Sequence, residues 1–160
     1  MKLNGYQIVS ESVQSSIDLE KFDKNFYLQH VPKKDQNKAA ILSDDCIKHN
    51  IITNIGESEF VLGIVGFVGY IPTKKDPKIG FIQIYILPEY RGKGYLQLAE
   101  DKLAEIHKLK SLYATIDLDN KASLKGHLKA GFKYFPKSKI NNWIKLGFMK
   151  DNQTRLYKNY

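Results

Sequence analysis

Apolar and polar residues change rhythm several times along this chain, and each change marks a new element. Gly5 to Val9 alternates over a short span and predicts a first strand. A turn at Ser10 and Glu11 then caps a predicted helix over Val13 to Phe26. HVPKKDQNK breaks the pattern with Pro32 and charge. After it, AAILSDDCIKHNIITN carries Ile41, Cys46, Ile47 and Ile51 at helical spacing, which predicts a second helix. Phe60 to Ile71 is β-branched and aromatic with glycines at 63, 66 and 69, a pattern suited to two short strands or to one long bulged strand. PTKKDPK is a turn, and Ile79 to Leu87 is a strand that stops where Pro88 removes a ladder donor, so a hairpin is the natural connection.

From Gly94 the period lengthens. Leu96, Ala99, Leu103 and Ile106 recur at spacings of three and four, forming one helical stripe that ends near Lys108 to Lys110, where cations suit the negative end of the helix. Leu112 to Leu118 alternates again, with Ala114, Ile116 and Leu118 on one face and Thr115, Asp117 and Asp119 on the other. KASLKGHLKAGF predicts a short helix closed by Gly131. The rest holds one or two strands around a short helical or looped insertion. HLKAGF at 127 to 132 is echoed by WIKLGF at 143 to 148, too short a likeness for a repeat architecture.

With 160 residues the chain fits one domain and is long enough to bury a core. Its 42% hydrophobic and 26% charged residues exclude a wholly disordered chain. FVLGIVGFVGYI is too short for a membrane span, and the N-terminus lacks a secretory pattern, so the expected location is cytoplasmic. The lone Cys46 and four scattered histidines give neither an internal disulfide nor zinc spacing, and no metal is expected. Net charge is +8, and the eight lysines from Lys121 to Lys150 face no Asp or Glu in that segment. Such a patch suits nucleic acid, a phosphorylated cofactor or an acidic partner, or is simply a solvated surface. It lacks the aromatic and arginine interleaving of RNA-binding modules, so nucleic acid is not the expected partner.

The turn YRGKG between strand and stripe changes the picture most. A helix N-terminus offers unpaired N–H groups and about half a positive charge. Gly92 and Gly94 remove Cβ atoms around those amides, while Arg91 and Lys93 add cationic donors. The turn reads as a cradle for phosphate or pyrophosphate; the alternative is a charged turn that happens to be rich in glycine. A P-loop is absent, and GKGYLQ lacks the third glycine of a dinucleotide fingerprint.

In order, IYILPEYRGKG, an amphipathic helix, a strand ending in IDLDN, and KASLKGHLKAGF resemble the GNAT superfamily of acyl-CoA-dependent N-acetyltransferases, over about Ile79 to Phe132. The resemblance implies one α/β (α+β) domain: a mixed, mostly antiparallel sheet of about six or seven strands flanked by helices, splayed near its middle to admit a pantetheine arm. It implies acetyl-CoA as cosubstrate and a primary amine of a small molecule, peptide or protein as acceptor. Transfer would be direct, without a covalent enzyme intermediate.

Arg91 and Gly94 fall on the family's pyrophosphate-turn positions, beside Gly92, Lys93, Tyr95 and the amide of Leu96; the Leu96 side chain departs from the Gly or Ala the family prefers. The open strand edge at Ile84, Tyr85 and Ile86 would hold the acyl arm and the oxyanion, the Ile86 amide foremost. Asn120 stands where the family contacts pantetheine, and Asn also suits a helix cap there. Lys125 and Lys129 are the nearest candidates in the lysine-rich segment to meet the ribose phosphate of CoA. His127 takes the slot where the family often has a general-acid tyrosine. A thiol of unperturbed pKa about 8.5 needs a proton as it leaves, and imidazole can supply one, although a packing histidine fits the same position. No acid lies between Lys78 and Glu89, so Asp117 and Asp119 are the candidate bases, with water-mediated deprotonation as the alternative. The positive body disfavours polycationic acceptors and favours neutral or acidic ones. Two other functions stay open: a degenerate acyl-CoA-binding module, and a nucleic-acid or acidic-partner binder using the lysine-rich segment. Oligomeric state is also open, a homodimer included.

Overall fold

The computed structural model describes residues 17–54 and 62–160. In chain order it holds β1 (Asp18–Lys21), α1 (Lys24–His30), α2 (Lys33–Gln36), a 3-10 turn at Ala40–Leu42, β2 (Ile47–Asn54), β3 (Leu62–Pro72) and β4 (Ile79–Ile86). A second 3-10 turn at Pro88–Tyr90 leads to α3 (Tyr95–His107), β5 (Ser111–Asp117), α4 (Lys121–Lys129), β6 (Lys133–Tyr134), α5 (Lys137–Lys145) and β7 (Gln153–Asn159). The strands form one sheet in the order β1-β2-β3-β4-β5-β7-β6. Among the described strands only β4 and β5 pair in parallel, because α3 carries the chain back between them.

The N-terminal half corrects two expectations, while the strand predicted at Gly5 to Val9 lies outside the described residues. Asp18–Lys21 is a strand, not part of a helix: it buries only Leu19 and is otherwise charged, as a short edge strand is. A helix begins after it, where Asp23 Oδ1 accepts from the Phe26 amide at 3.0 Å. The second predicted helix is the 3-10 turn followed by β2. Asn50, Ile51, Ile52 and Thr53 are all buried in β2, so neither period is visible there. The β2–β3 register shifts between Ile51 and Ile52, and β3 runs as one long strand.

From β3 onward the elements fall where the pattern places them, with β3 and β4 as a hairpin. Leu96, Ala99 and Leu103 face the core with Glu100 and Ala104, whereas Ile106 is exposed; β5 ends at Asp117 and leaves Leu118 exposed. The echo HLKAGF and WIKLGF is a pair of matching helix stops. In the first, Phe132 N–H donates to His127 O and Gly131 N–H to Leu128 O; in the second, Phe148 N–H donates to Trp143 O and Gly147 N–H to Ile144 O. Both glycines have positive φ, +99° and +82°, so the echo records one capping geometry used twice.

The helices α3 and α4 cover one face of the sheet through Val68, Ile82, Ile86, Leu103, Leu112, Ala114 and Leu156. On the other face the segment from α1 to the first 3-10 turn packs Tyr27, Val31 and Ile41 on Phe67 and Leu87. Farther along that face, α5 brings Trp143 against Phe135, which also touches Tyr113 and Tyr157.

Candidate active site

Strands β4 and β5 pair only from Ile79 with Ser111 to Phe81 with Tyr113, and then part. Each stays paired on its other side, β4 with β3 as far as Ile86 and β5 with β7 as far as Asp117. A wedge therefore opens between 82–86 and 114–117. Leu87 N–H donates to Val65 O at 2.9 Å, and this fixes the alternation: Tyr85 and Leu87 direct their backbone groups at β3. Ile84 and Ile86 direct theirs into the wedge. The Ile86 carbonyl is met there by Arg91, whose Nε–H donates to it at 2.8 Å.

The turn at the mouth of the wedge has the shape its glycines imply. Gly92 and Gly94 adopt φ of +76° and +86°, and a Cβ on either would meet nothing within 4 Å. The amides from Gly92 to Gln97 have no acceptor among the described residues, whereas the Arg91 amide donates to Pro88 O at 3.3 Å. A run of main-chain donors at the start of a thirteen-residue helix is thus left without a protein acceptor beyond the tight turn itself. Leu96 turns inward, and a Cβ on Gly126 of α4 would sit 3.6 Å from its Cδ1. Its side chain packs against the core, while its amide stays in the row of donors.

The sequence matches the acetyltransferase (GNAT) family over residues 17–132. The chain belongs to this family. GNAT proteins use acetyl-CoA as cosubstrate, and solved structures carry the same fold. Spermidine N-acetyltransferase from Vibrio cholerae, solved with CoA and spermine, aligns with a TM-score of 0.63 at 13% identity, over 91% of this chain and 96% of that one. The N-acetyltransferase PseH of Campylobacter jejuni, solved with acetyl coenzyme A, aligns at 0.56 and 13%, over 90% and 99%. IAA acetyltransferase from Bacillus cereus aligns at 0.56 and 17%, over 91% and 100%. No curated protein matches the sequence. Among the described residues no helix is long and apolar enough to cross a membrane.

Within this GNAT domain the residues expected to act divide into two groups. Ile84, Ile86, Arg91 to Leu96 and the wedge come together. Tyr85 projects from the same strand onto the face covered by α1 and α2. Lys125 is exposed on α4 and Lys93 in the turn. Asn120 caps α4, its Oδ1 accepting from the Ser123 amide at 3.2 Å.

His127, the candidate general acid, is enclosed between α3 and α4 with both ring nitrogens engaged. It is 2% exposed, with Nε2 2.7 Å from Glu100 Oε2 and Nδ1 2.9 Å from Ser123 O. A carbonyl only accepts, so Nδ1 carries hydrogen, and a single proton lies between Nε2 and Oε2. Burial raises the Glu100 pKa, with His127 opposing. Burial alone would lower His127, but the Glu100 charge and hydrogen bond outweigh it and hold the ring above its ordinary value. The pair is a net-neutral tie between α3 and α4. Asp117 is exposed and accepts from Gln153 Nε2 at 3.1 Å, and Asp119 sits exposed in the turn after β5. Burial pushes the Cys46 thiol up to about 11, which makes it a poor nucleophile.

Sequence reasoning missed one carboxylate. Asp35 of α2 accepts from Tyr85 Oη at 2.9 Å, and Arg91 lies over the Tyr85 ring at 5.1 Å. The Tyr85 hydrogen bond, then Lys38, holds the Asp35 pKa below its ordinary value, so it is ionised at neutral pH. Fifty residues separate Asp35 from Tyr85, and no local spacing announces such a pair.

Proposed function

We propose that this chain moves an acetyl group from acetyl-CoA to a primary amine by direct transfer within the β4–β5 wedge. The observation that carries this reading is the conjunction of the wedge with the open row of amides at its mouth. Those amides, Gly92 to Gln97, would hold the pyrophosphate, with Lys93 and Lys125 adding charge nearby. Both glycines leave the room an anion needs. Bound there, acetyl-CoA supplies an activated acyl group as a thioester.

The chain's own part is orientation and charge. The Ile84 and Ile86 amides point into the wedge and are fixed by the β3 ladder, so they can receive negative charge developing on an oxygen without reorganising. Tyr85 lies between them in sequence and turns its side chain to the opposite face, where its hydroxyl meets Asp35. The Asp35 carboxylate is the counter-charge for an incoming ammonium. Its lowered pKa makes it a poor base, so the amine surrenders its proton to water. Water also serves the leaving thiolate, since His127 is enclosed.

Calorimetric titration with acetyl-CoA, beside a thiol-release screen over primary amines, tests this. Gly94→Val forces a branched residue into a left-handed backbone and fills the cradle. Affinity for acetyl-CoA is expected to fall about tenfold or more, given several charge-assisted hydrogen bonds at stake. Equal affinity in the variant, or no binding by the parent, overturns the reading.

A further inference from the structure

Arg155 of β7 is 7% exposed, and no carboxylate among the described residues pairs with it. Its Nε–H donates to Thr115 Oγ1 at 2.8 Å, and the guanidinium carbon lies over the rings of Phe81 and Trp143 at 4.8 and 4.7 Å. Burial pulls its pKa down from the ordinary arginine value, yet an arginine stays charged at any physiological pH. With the Nε edge occupied and rings against its plane, the Nη edge is left for an acceptor. The Nη atoms make no hydrogen bond among the described residues and are not fully buried, so that edge touches solvent. Lys139 of α5 lies over the same indole at 5.4 Å and adds a second cation without an anion among the described residues. A buried fork-shaped cation costs free energy unless an anion meets it, and the planar fork matches a carboxylate in two parallel hydrogen bonds.

The position of this cation relates it to the wedge. Phe81 is the last β4 residue paired with β5, so the guanidinium sits at the closed end of the wedge. It lies on the face that also carries Tyr85 and Asp35, since Phe81 and Tyr85 alternate in phase along β4. Four residues of strand separate those two positions, about 13 Å. A molecule that joins the cation beside Phe81 to the carboxylate beside Tyr85 is therefore several carbons long.

We propose that the acceptor is an amine that also carries a carboxylate, seated on the Nη edge of Arg155 with its amine at Asp35 and Tyr85, a chain of several carbons apart. This substrate class rests on the acetyl-transfer reading above. The apolar middle of such a molecule meets Phe81 and the Trp143 ring. A diamine is disfavoured, because its far ammonium would face Arg155 and Lys139.

Trp143 is the chain's only tryptophan, so its fluorescence reports on this site independently of turnover. The probes are 6-aminohexanoate, 1-aminohexane and 1,6-diaminohexane, which share a carbon chain and differ at one end. A saturable change in emission is expected with 6-aminohexanoate alone. It should weaken about tenfold or more in Arg155→Gln, less in Arg155→Lys, and again in Lys139→Glu, a surface change that leaves the core untouched. Equal responses to all three probes, no response to any, or unchanged affinity in Lys139→Glu and a folded Arg155 variant overturns the proposal. Acetylation is then read on the same probes with acetyl-CoA. Carboxylate-selective binding without acetylation of any amine sinks the transfer reading and keeps the anion site. Equal acetylation of 6-aminohexanoate and 1-aminohexane, indifferent to Arg155, sinks the anion site and keeps transfer.

Discussion

Replacing His127 by phenylalanine removes the one hydrogen-bond partner that Glu100 has among the described residues. Glu100 is fully buried, and its Oε1 already lacks a hydrogen bond. Breaking a buried pair from one side costs about 3–5 kcal/mol. In a chain of this size about 1 kcal/mol moves the melting temperature by about 2–4 °C, so His127→Phe should melt about 6–20 °C below the parent. The pH dependence is more specific. In the variant, burial keeps Glu100 protonated when folded, while the unfolded chain ionises near pH 4.3. The folded state then binds one more proton, and stability falls by about 1.4 kcal/mol per pH unit above that point. In the parent, the folded pair holds as many protons as the unfolded chain between about pH 4.3 and 6.5, so the pair contributes no slope there. Urea denaturation of both proteins at pH 5 and pH 6.5 reads the difference directly. Glu100→Met with His127→Phe should recover most of the loss. Acetyl transfer by folded His127→Phe, measured well below its transition, should match the parent. Unchanged melting together with lost turnover would refute this account and return His127 to the chemistry.

Three further outcomes are expected. His49 Nε2 lies 2.8 Å from His107 Nε2, burial and then the neighbouring charge (His107 for His49, Lys78 for His107) depress both pKa values, and so the unfolded chain takes up protons first on acidification. Stability from this pair is present above about pH 6.5 and is lost as pH falls through the lower folded values; melting scans from pH 7.5 to 5 should show it, and His49→Phe should flatten it. Gly66→Ala places a Cβ 2.4 Å from Tyr85 O and 3.0 Å from Ile86 Cα. It should cost about 1–3 kcal/mol in denaturation and lower kcat by displacing the Ile86 amide. Asn120→Ala loses the cap of α4 and about 1 kcal/mol of stability by urea titration, without changing the Kd for acetyl-CoA.

The part of the fold written most plainly in the sequence runs from β4 to α4, where each element keeps one face less buried than the other and so preserves its period, whereas β3, buried on both faces from Val65 to Tyr70, was legible through its β-branched and aromatic composition. The turn at Gly92 and Gly94 was readable for a related reason: positive φ and open space both demand glycine. In β2, burial on both faces erased the alternation, and Ile47 to Ile51 mimicked a helix turn. Strand β1 carried almost no apolar signal, being a charged edge. Polar residues were harder still, because their roles depend on partners far along the chain. His127 sits at a position the family uses for chemistry, but Glu100 on the preceding helix captures it. Asp35 with Tyr85 and Arg155 with Trp143 are contacts between elements that no local spacing connects.

The partial pairing of β4 with β5 also divides the molecule mechanically. Three rungs join a lobe of β1 to β4 to a lobe of β5 to β7, with α3 as the strap across them. Anything lodged beyond the last rung, hydrogen-bonded to both lips, replaces ladder contacts that the polypeptide itself omits. Occupancy should therefore stiffen the hinge, slowing amide exchange along β4 and β5 together, and the protein holding its cosubstrate should resist unfolding as a single unit.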